Sequence, residues 1–275
     1  MESSLANVFK DAEKHLKIAD IITRHISNKS DIRIFALNGL DISKCQNILD
    51  LGCGYGFFTE ALRGKVHPKV KVTGVDRFTE YEKFFSQSAE KAGVSSNFLY
   101  KGISVLEKME SNSYDLILCS YALYFFPEMV AHISRILKDD GLFVAITHAI
   151  PHMHEFADYV RKILREEGHN LDSCLPYEKL IKEFSDKNGY QILTPYFSKI
   201  SKKKYEGVLI FGAGDYEDLI HYFNFKHSFF IPEEIDADDK LHQMIIRKIK
   251  RDMGANQELR ITKNDVIFVS SGPKV

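Results

Sequence analysis

The chain has 275 residues, 44% of them hydrophobic, enough to bury a full core in one large domain or a domain with an elaboration. Its 37 basic and 38 acidic residues leave a formal charge of −1, without the basic surplus by which nucleic-acid binders attract phosphate. Cys45, Cys53, Cys119 and Cys174 are widely spaced and form no CxxC pair, which argues against a zinc site or a disulfide framework.

No stretch approaches the ~18 continuous apolar residues of a membrane span. The start, Met1-Glu2-Ser3-Ser4, lacks the basic opening and apolar run of a signal peptide. A soluble, reducing, cytoplasmic setting is the simplest expectation.

The first 30 residues mix Val8, Leu16, Ile18, Ile21 and Ile22 with charges and predict helix. Asn47–Leu51 predicts a short apolar strand that runs into glycines, and Phe57–Leu62 resumes with helical character. Val70–Asp76 is a second expected strand, followed by the polar helix Glu80–Ala92 and a third strand at Asn97–Tyr100. Tyr114–Cys119 is nearly all apolar, as in a strand buried on both faces. A helix over Met129–Leu137, ended by Lys138-Asp139-Asp140-Gly141, precedes a fifth strand at Leu142–Thr147. This alternation argues for a parallel sheet covered by helices.

Beyond Ile150 the pattern changes. Helices are expected over Glu155–Glu167, Tyr177–Lys187, Asp215–Phe225 and Asp239–Met253, with strands at Val208–Phe211 and Asp265–Ser270. Lys202-Lys203-Lys204 reads as a solvated loop before a strand rather than a phosphate site. No internal repeat, low-complexity tract or Pro/Gly-rich linker interrupts the chain.

Asp50-Leu51-Gly52-Cys53-Gly54-Tyr55-Gly56 closes the first strand. Such a turn, at the carboxyl edge of a doubly wound sheet, is where ligands bind, and glycine lets them press against bare backbone. A dinucleotide fingerprint needs GxGxxG; here the third glycine arrives one residue early and Phe57 holds its place. Asp50, two residues before the first glycine, would repel pyrophosphate but suits a ligand bearing an ammonium and a sulfonium. Asp76 ends the second strand, where a carboxylate can accept both ribose hydroxyls. An NAD-dependent oxidoreductase is therefore disfavoured.

This combination resembles the class I S-adenosylmethionine-dependent methyltransferase family over about residues 45–150, with the signature ILDLGCGxG as Ile48–Gly56. The resemblance implies a Rossmann-like α/β fold: a mostly parallel seven-stranded sheet, helices on both faces and a small helical substrate lobe. The expected single domain has a core of about residues 30–150 plus 190–275 and lobe elements at about 1–30, 151–190 and 213–255. It also implies S-adenosyl-L-methionine as cofactor and S-adenosyl-L-homocysteine as product. By similarity, Asp50, Gly52 and Gly54 hold the methionine end and Asp76 the ribose, with Cys53 and Arg77 in the same set. Ile103 and Ser104 border adenine, Ser104 standing where the family often has an acid, and Ser120 and Tyr121 flank the methionine portion.

The fourth strand leads into Ser120-Tyr121-Ala122-Leu123-Tyr124-Phe125-Phe126-Pro127, without the (Asn/Asp/Ser)-Pro-Pro-(Tyr/Phe) motif of methylases acting on adenine or amide nitrogens. These aromatics either pack the following helix or wall a small acceptor, with Tyr121 and Tyr124 offering hydroxyls. Asn7-Val8-Phe9-Lys10-Asp11, Ala122-Leu123-Tyr124-Phe125 and Gly214-Asp215…Asn224-Phe225 are similar to the histamine N-methyltransferase family across nearly the whole chain. That similarity places Asn264 at a substrate-binding amide, Tyr121 at a glutamine and Asn28 at an acid, so the natural partner of an ammonium group is missing.

The expected reaction is methyl transfer to N or O of a small molecule. A carboxyl- or hydroxyl-directed O-methyltransferase and a non-catalytic nucleotide-binding protein are the alternatives. An activated sulfonium asks the protein chiefly to align the reactants and exclude water. An amine or hydroxyl acceptor must also lose a proton, and Tyr121 and His148 are the candidates for acceptor orientation or proton removal. His148, His152 and His154 lack the HExxH arrangement, and no metal is expected.

Overall fold

The computed structural model describes residues 4–169, 174–231, 235, 240–254 and 258–274. Helix α1 spans Ala12–His25 and α2 Ile32–Leu37; strand β1 is Asn47–Leu51, followed by α3 (Phe57–Glu60) and β2 (Lys71–Val75). Then come α4 (Glu82–Ala92), β3 (Ser95–Leu99), β4 (Tyr114–Ser120), α5 (Val130–Ile136) and β5 (Leu137–His152). Helices α6 (His154–Glu166), α7 (Pro176–Glu183) and α8 (Gly189–Leu193) precede β6 (Phe197–Tyr205) and β7 (Val208–Phe211). The last elements are α9 (Tyr216–Phe230), α10 (Lys240–Gly254) and β8 (Leu259–Pro273). The expected helix start at Asp239 and the opening Met1-Glu2-Ser3 lie outside the described residues. No described helix is long and apolar enough to cross a membrane.

Two compact units result, one of Ser30–Ala149, Glu183–Tyr205 and Asp265–Val275, the other of Met1–Lys29, Ile150–Lys182 and Glu206–Asn264. The first is a mixed α/β unit of Rossmann-like type, with strand order β3-β2-β1-β4-β5-β8-β6. The β1–β2, β1–β4, β2–β3 and β4–β5 pairs are parallel, and β6 runs antiparallel to β8. Register sets Asp50 beside Gly74 on one flank and Leu118 on the other. Continuous apolar runs make the central strands, because both sheet faces are covered. Leu116, Ile117, Leu118 and Cys119 of β4 are wholly buried, as are Ile48, Leu49 and Leu51 of β1. Ile48, Val72, Leu116, Leu118, Val144 and Ile267 share one core cluster with Phe58, Phe85 and Ala36 from the helices and turns.

The Lys202-Lys203-Lys204 run corrects an expectation. It lies within β6 rather than in a loop, paired to Phe268, Ile267 and Val266 of β8. β6 ends the strand order, where lysines keep an exposed edge from recruiting further strands.

In the second unit, β7 pairs antiparallel with Leu259–Thr262. The strand expected at Val208–Phe211 forms β7, in this unit. Asp11 caps α1 by accepting from the Lys14 N–H, and Ile18 and Ile21 supply its buried stripe. Arg24 and His25 at the end of α1 both bind Asp218 of α9. Phe156 of α6 meets Phe223 and Phe230 of α9 edge-on at 5.7 and 5.0 Å, and Tyr177 of α7 lies 5.5 Å from Phe230. Aromatic area thus supplies much of this core, and rings in such geometry add about 0.5–1.5 kcal/mol per pair beyond burial.

Candidate active site

β1 and β2 end side by side, and the turns that follow are tied together by backbone bonds. The N–H groups of Gly52 and Cys53 both donate to Val75 O, at 2.8 and 3.2 Å. Gly52 has φ +62°, and a Cβ there would stand 2.5 Å from Ala122 Cβ, so the loop after β4 leaves no room for a side chain. Gly54 also has positive φ (+48°), but a Cβ there would come no nearer than 3.8 Å to its first neighbour, Tyr81. The first glycine therefore serves packing, while at the second a Cβ would make only ordinary contact with Tyr81.

Asp76 follows β2 and uses both oxygens on backbone. Oδ2 accepts from Gly54 N–H at 2.9 Å and Oδ1 from Phe78 N–H at 3.0 Å. Burial pushes its carboxyl pKa up, against the pull of those N–H groups and of Arg77. Each carboxylate oxygen has a second lone pair, so vicinal hydroxyls remain compatible with this arrangement.

Asp50 is 1% exposed and accepts from Thr59 Oγ1 at 2.6 Å. Burial raises its pKa to about 7, helped by the nearby Asp76 and opposed by the Thr59 hydrogen bonds. A cation brought beside it would recover the charged form. Cys53 packs inward: a Cβ on Gly74 would meet Cys53 Sγ at 2.8 Å, and burial pushes its thiol pKa well up. Any ligand contact at Cys53 is thus through its backbone.

After β3, Gly102 introduces a helical turn over Ile103–Lys108, on which Ile103 is half-buried and Ser104 exposed. A Cβ on Gly102 would lie 3.9 Å from Arg77 Cβ, so this turn borders the one after β2. The Arg77 guanidinium sits over the Phe78 ring at 4.6 Å. At the end of β4, Ser120 Oγ is buried and has no hydrogen-bond partner among the described residues. An orphaned hydroxyl at a strand's carboxyl end, the glycine backbone at Gly54 and the Asp76 carboxylate are groups that a nucleoside bearing an amino acid would use.

Tyr121 follows Ser120 with φ +54°, a conformation that costs a non-glycine residue free energy and is held here by its N–H bond to Ile146 O at 2.9 Å. This turn aims the phenol at Asp265. Tyr121 Oη donates to Asp265 Oδ2 at 2.9 Å, and His148 Nδ1 lies 3.0 Å from Asp265 Oδ1. Tyr124 stacks on His148 with centroids 5.7 Å apart, and Tyr121 lies 5.2 Å from the same ring. Burial and the Asp265 carboxylate hold the Tyr121 hydroxyl well above its ordinary pKa. Tyr121 is therefore a hydrogen-bond donor, suited to orientation rather than to proton removal.

Asp265 was invisible to sequence reasoning. Its only trace is an acid at the head of the otherwise apolar run Val266-Ile267-Phe268-Val269.

The other expected substrate residues belong to the second unit and hold its backbone. Asn28 Nδ2 donates to Glu206 O at 3.0 Å, and Asn264 Oδ1 accepts from Gly207 N–H at 3.3 Å. Both amides thereby brace the turn before β7. His152 Nδ1 lies 2.7 Å from Asn264 O, and His154 pairs with its neighbour Glu155. These two histidines line a cavity of about 480 Å³ together with Arg161, Cys174, Tyr177 and Lys182.

A family described as "Methyltransferase domain" matches residues 42–213. The uncharacterized methyltransferase YcgJ of Bacillus subtilis is 29% identical over 134 residues, 46% of this chain and 51% of that protein. The chain thus spans about half the length of that relative. Its crystal structure superposes with a TM-score of 0.51 at 16% identity, covering 95% of this chain and all of that one. The demethylmenaquinone methyltransferase of Geobacillus stearothermophilus is 24% identical over 161 residues, 56% of this chain and 67% of its own length. Phosphoethanolamine N-methyltransferase 2 of Haemonchus contortus, solved with S-adenosyl-L-methionine, shares the fold with a TM-score of 0.51 at 13% identity, over 98% of this chain and 60% of its own. The family match covers more than half of the sequence, including every element from β1 to β7, and the chain belongs to the methyltransferase-domain family.

Proposed function

We propose that this chain is a cytoplasmic enzyme that transfers a methyl group from S-adenosyl-L-methionine to N or O of a small molecule. The observation that carries this reading is the paired closure of β1 and β2, where Asp76 accepts the Gly54 N–H and the buried Asp50 accepts from Thr59. The cofactor supplies a methyl group already activated on a sulfonium. Asp50, Gly52 and Gly54 would hold its methionine end, with Cys53 contributing backbone alone. Asp76 would take the ribose hydroxyls, and Arg77, Ile103 and Ser104 would border the adenine. Ser120 and Tyr121 would lie beside the methionine portion.

The remaining work is positioning and one proton transfer. Tyr121, whose hydroxyl stays protonated, orients; His148 accepts the proton that an amine or hydroxyl must lose. Packed aromatics at Tyr121 and Tyr124 exclude water from that step. The neutral overall charge favours a small acceptor over nucleic acid.

Similarity to histamine N-methyltransferase contributes the layout rather than the substrate. Asn28 and Asn264 are engaged with the backbone of Glu206 and Gly207, and Asn28 supplies no charge for an ammonium. The names of the relatives, which include quinone-precursor and phosphoethanolamine enzymes, support small-molecule acceptors in general.

Calorimetry with S-adenosylhomocysteine and with NAD tests the cofactor: saturable binding of the first is expected, and binding of NAD alone would overturn the reading. Methyl-label transfer into a panel of amines, phenols and carboxylic acids then identifies the acceptor. Tight S-adenosylhomocysteine binding with no transfer to any acceptor would assign a non-catalytic role.

A further inference from the structure

We infer that Lys226 is a methylation site: its amine accepts methyl groups from S-adenosyl-L-methionine, and the rings of Phe9, Phe225 and Phe229 form a cage that holds the methylated side chain. The inference rests on the proposed methyl-transfer function.

All of these residues belong to the second unit. Phe225 and Phe229 stand four residues apart on α9, so their side chains share one face, with Lys226 beside them. Phe9 comes from the helical turn Ser4–Lys10, and its ring meets Phe225 and Phe229 edge-on at 5.8 and 6.1 Å. The Lys226 nitrogen lies 5.4, 5.7 and 4.8 Å from the Phe9, Phe225 and Phe229 ring centroids. His15 packs on the same rings, edge-on to Phe9 at 4.9 Å and stacked on Phe225 at 5.7 Å. Burial first, then the Lys226 charge, pushes the His15 pKa down to about 3, so this imidazole stays neutral.

The cage suits a methylated nitrogen better than a bare one on two counts. The first is chemical. An ammonium carries three N–H donors, yet Lys226 makes no hydrogen bond or ion pair among the described residues, and the charge acting on it is another cation, Lys263. Methylation keeps the positive charge but removes donors and spreads the charge over a larger, less hydrated group, the kind of cation that aromatic cages bind. The second is metric. A bare nitrogen touching a ring closes to about 3.5–4.0 Å, whereas a methyl group interposed on a bond of about 1.5 Å sets the nitrogen about 5.0–5.5 Å away. The observed separations of 4.8, 5.4 and 5.7 Å fall around the second range and not the first.

Burial and Lys263 also bring the Lys226 pKa down to about 8, against about 10.4 for a solvated lysine, so more of the amine is neutral near neutral pH. Lys226 is half-buried, and its flexible four-carbon stem can swing the amine clear of the rings. The lone pair of the neutral amine then forms the bond to the methyl carbon. The electron pair of the broken carbon–sulfur bond stays on sulfur, and the proton leaving the new methylammonium goes to water. Swinging back, the methylated nitrogen exchanges water for three ring faces.

Reductive methylation tests the cage without the cofactor. The 275-residue chain treated with ¹³C-formaldehyde and a borane reductant should show a dimethyl-lysine signal displaced upfield by the ring currents and missing in Lys226→Arg. A Lys226 signal among those of solvated lysines, or a Lys226 left unmodified while exposed lysines react, overturns the inference.

Incubation of the same chain with methyl-¹³C-labelled S-adenosyl-L-methionine, and no other acceptor, should place label on Lys226. The label is read as a displaced signal and in the mass of the peptide that carries Lys226. Lys226→Arg should lose it while binding S-adenosylhomocysteine as the wild type does. S-adenosylhomocysteine binding with no methyl on Lys226 overturns the inference. Failure of the wild type to bind S-adenosylhomocysteine would instead strike the proposed function, and the reductive-methylation spectrum would still decide whether the cage holds a methylated lysine.

Discussion

Asp76 accepts the Gly54 N–H through Oδ2 at 2.9 Å, which fastens the acid that closes β2 to the glycine turn that closes β1. The bond makes Asp76 both a ligand group and a brace for the turn beside it. Asp76→Ala should therefore weaken S-adenosylhomocysteine binding by more than the loss of ribose contacts alone. Charge-assisted hydrogen bonds contribute about 1.5–3 kcal/mol each, so a loss of roughly 100-fold or greater is expected by calorimetry. Asp76→Asn should retain the Phe78 or Gly54 contact and fall between. Equal affinity in Asp76→Ala and wild type would remove Asp76 from the site.

Gly52 gives a prediction of the opposite kind. Its φ of +62° disfavours a side chain, and a Cβ would overlap Ala122 Cβ at 2.5 Å. Gly52→Ala must push the loop after β4 away or unwind the turn, at a cost of about 1–4 kcal/mol. Denaturant unfolding should show that loss of stability together with weakened cofactor binding. Gly54→Ala meets no atom closer than 3.8 Å, so it should cost less stability and still impair binding.

The two positions show why this part of the site was legible in the sequence. Glycines at a strand end and acids beside them are demanded by the backbone itself, so they recur at fixed spacing within a short stretch. The strand Asn47–Leu51 was equally plain, since burial on both faces leaves an unbroken apolar run. β6 was not, because an edge strand with exposed lysines has no apolar face to display. Asp265 escaped for a different reason. Its partners His148 and Tyr121 are 117 and 144 residues away, and only the folded sheet brings them together. The N-terminal caps of α2 and α1 rest on local bonds of Asp31 and Asp11, which a pattern of apolar spacing does not weigh.

In the second unit, Lys226 of α9 lies against the Phe9, Phe225 and Phe229 rings at 5.4, 5.7 and 4.8 Å. Burial, reinforced by Lys263, lowers its pKa to about 8. An unfolded lysine keeps its proton to about pH 10.4. Between these values the unfolded chain binds more protons, so this group makes stability rise with pH through that window. Lys226→Met retains the packing of the stem and removes the charge. It should stabilise the protein at pH 7 by roughly 1–3 kcal/mol and flatten the stability profile between pH 8 and 10. If Lys226→Met is instead destabilising at pH 7, the cation–π contacts outweigh the desolvation of the ammonium.

Asp50 couples the same kind of linkage to the cofactor. Its pKa of about 7 in the folded protein stands well above the unfolded value near 3.9. The folded state thus binds more protons across the intervening range, and this group's contribution to stability is lost as pH rises from about 4 to 7. Asp50→Asn removes the buried charge and should raise the stability of the ligand-free protein at pH 8 by about 1–3 kcal/mol while flattening its pH dependence. Binding should respond in the reverse direction. An α-ammonium beside Asp50 favours the carboxylate, so S-adenosylhomocysteine should bind more weakly as pH falls from 8 to 6 and release close to one proton at the lower end. Calorimetry in two buffers of different ionisation enthalpy measures that proton directly. Asp50→Asn should release none and bind weakly at both pH values, because it gains stability by giving up the charge that the ligand requires. A variant that became more stable and bound as tightly as wild type would show that the methionine end lies elsewhere.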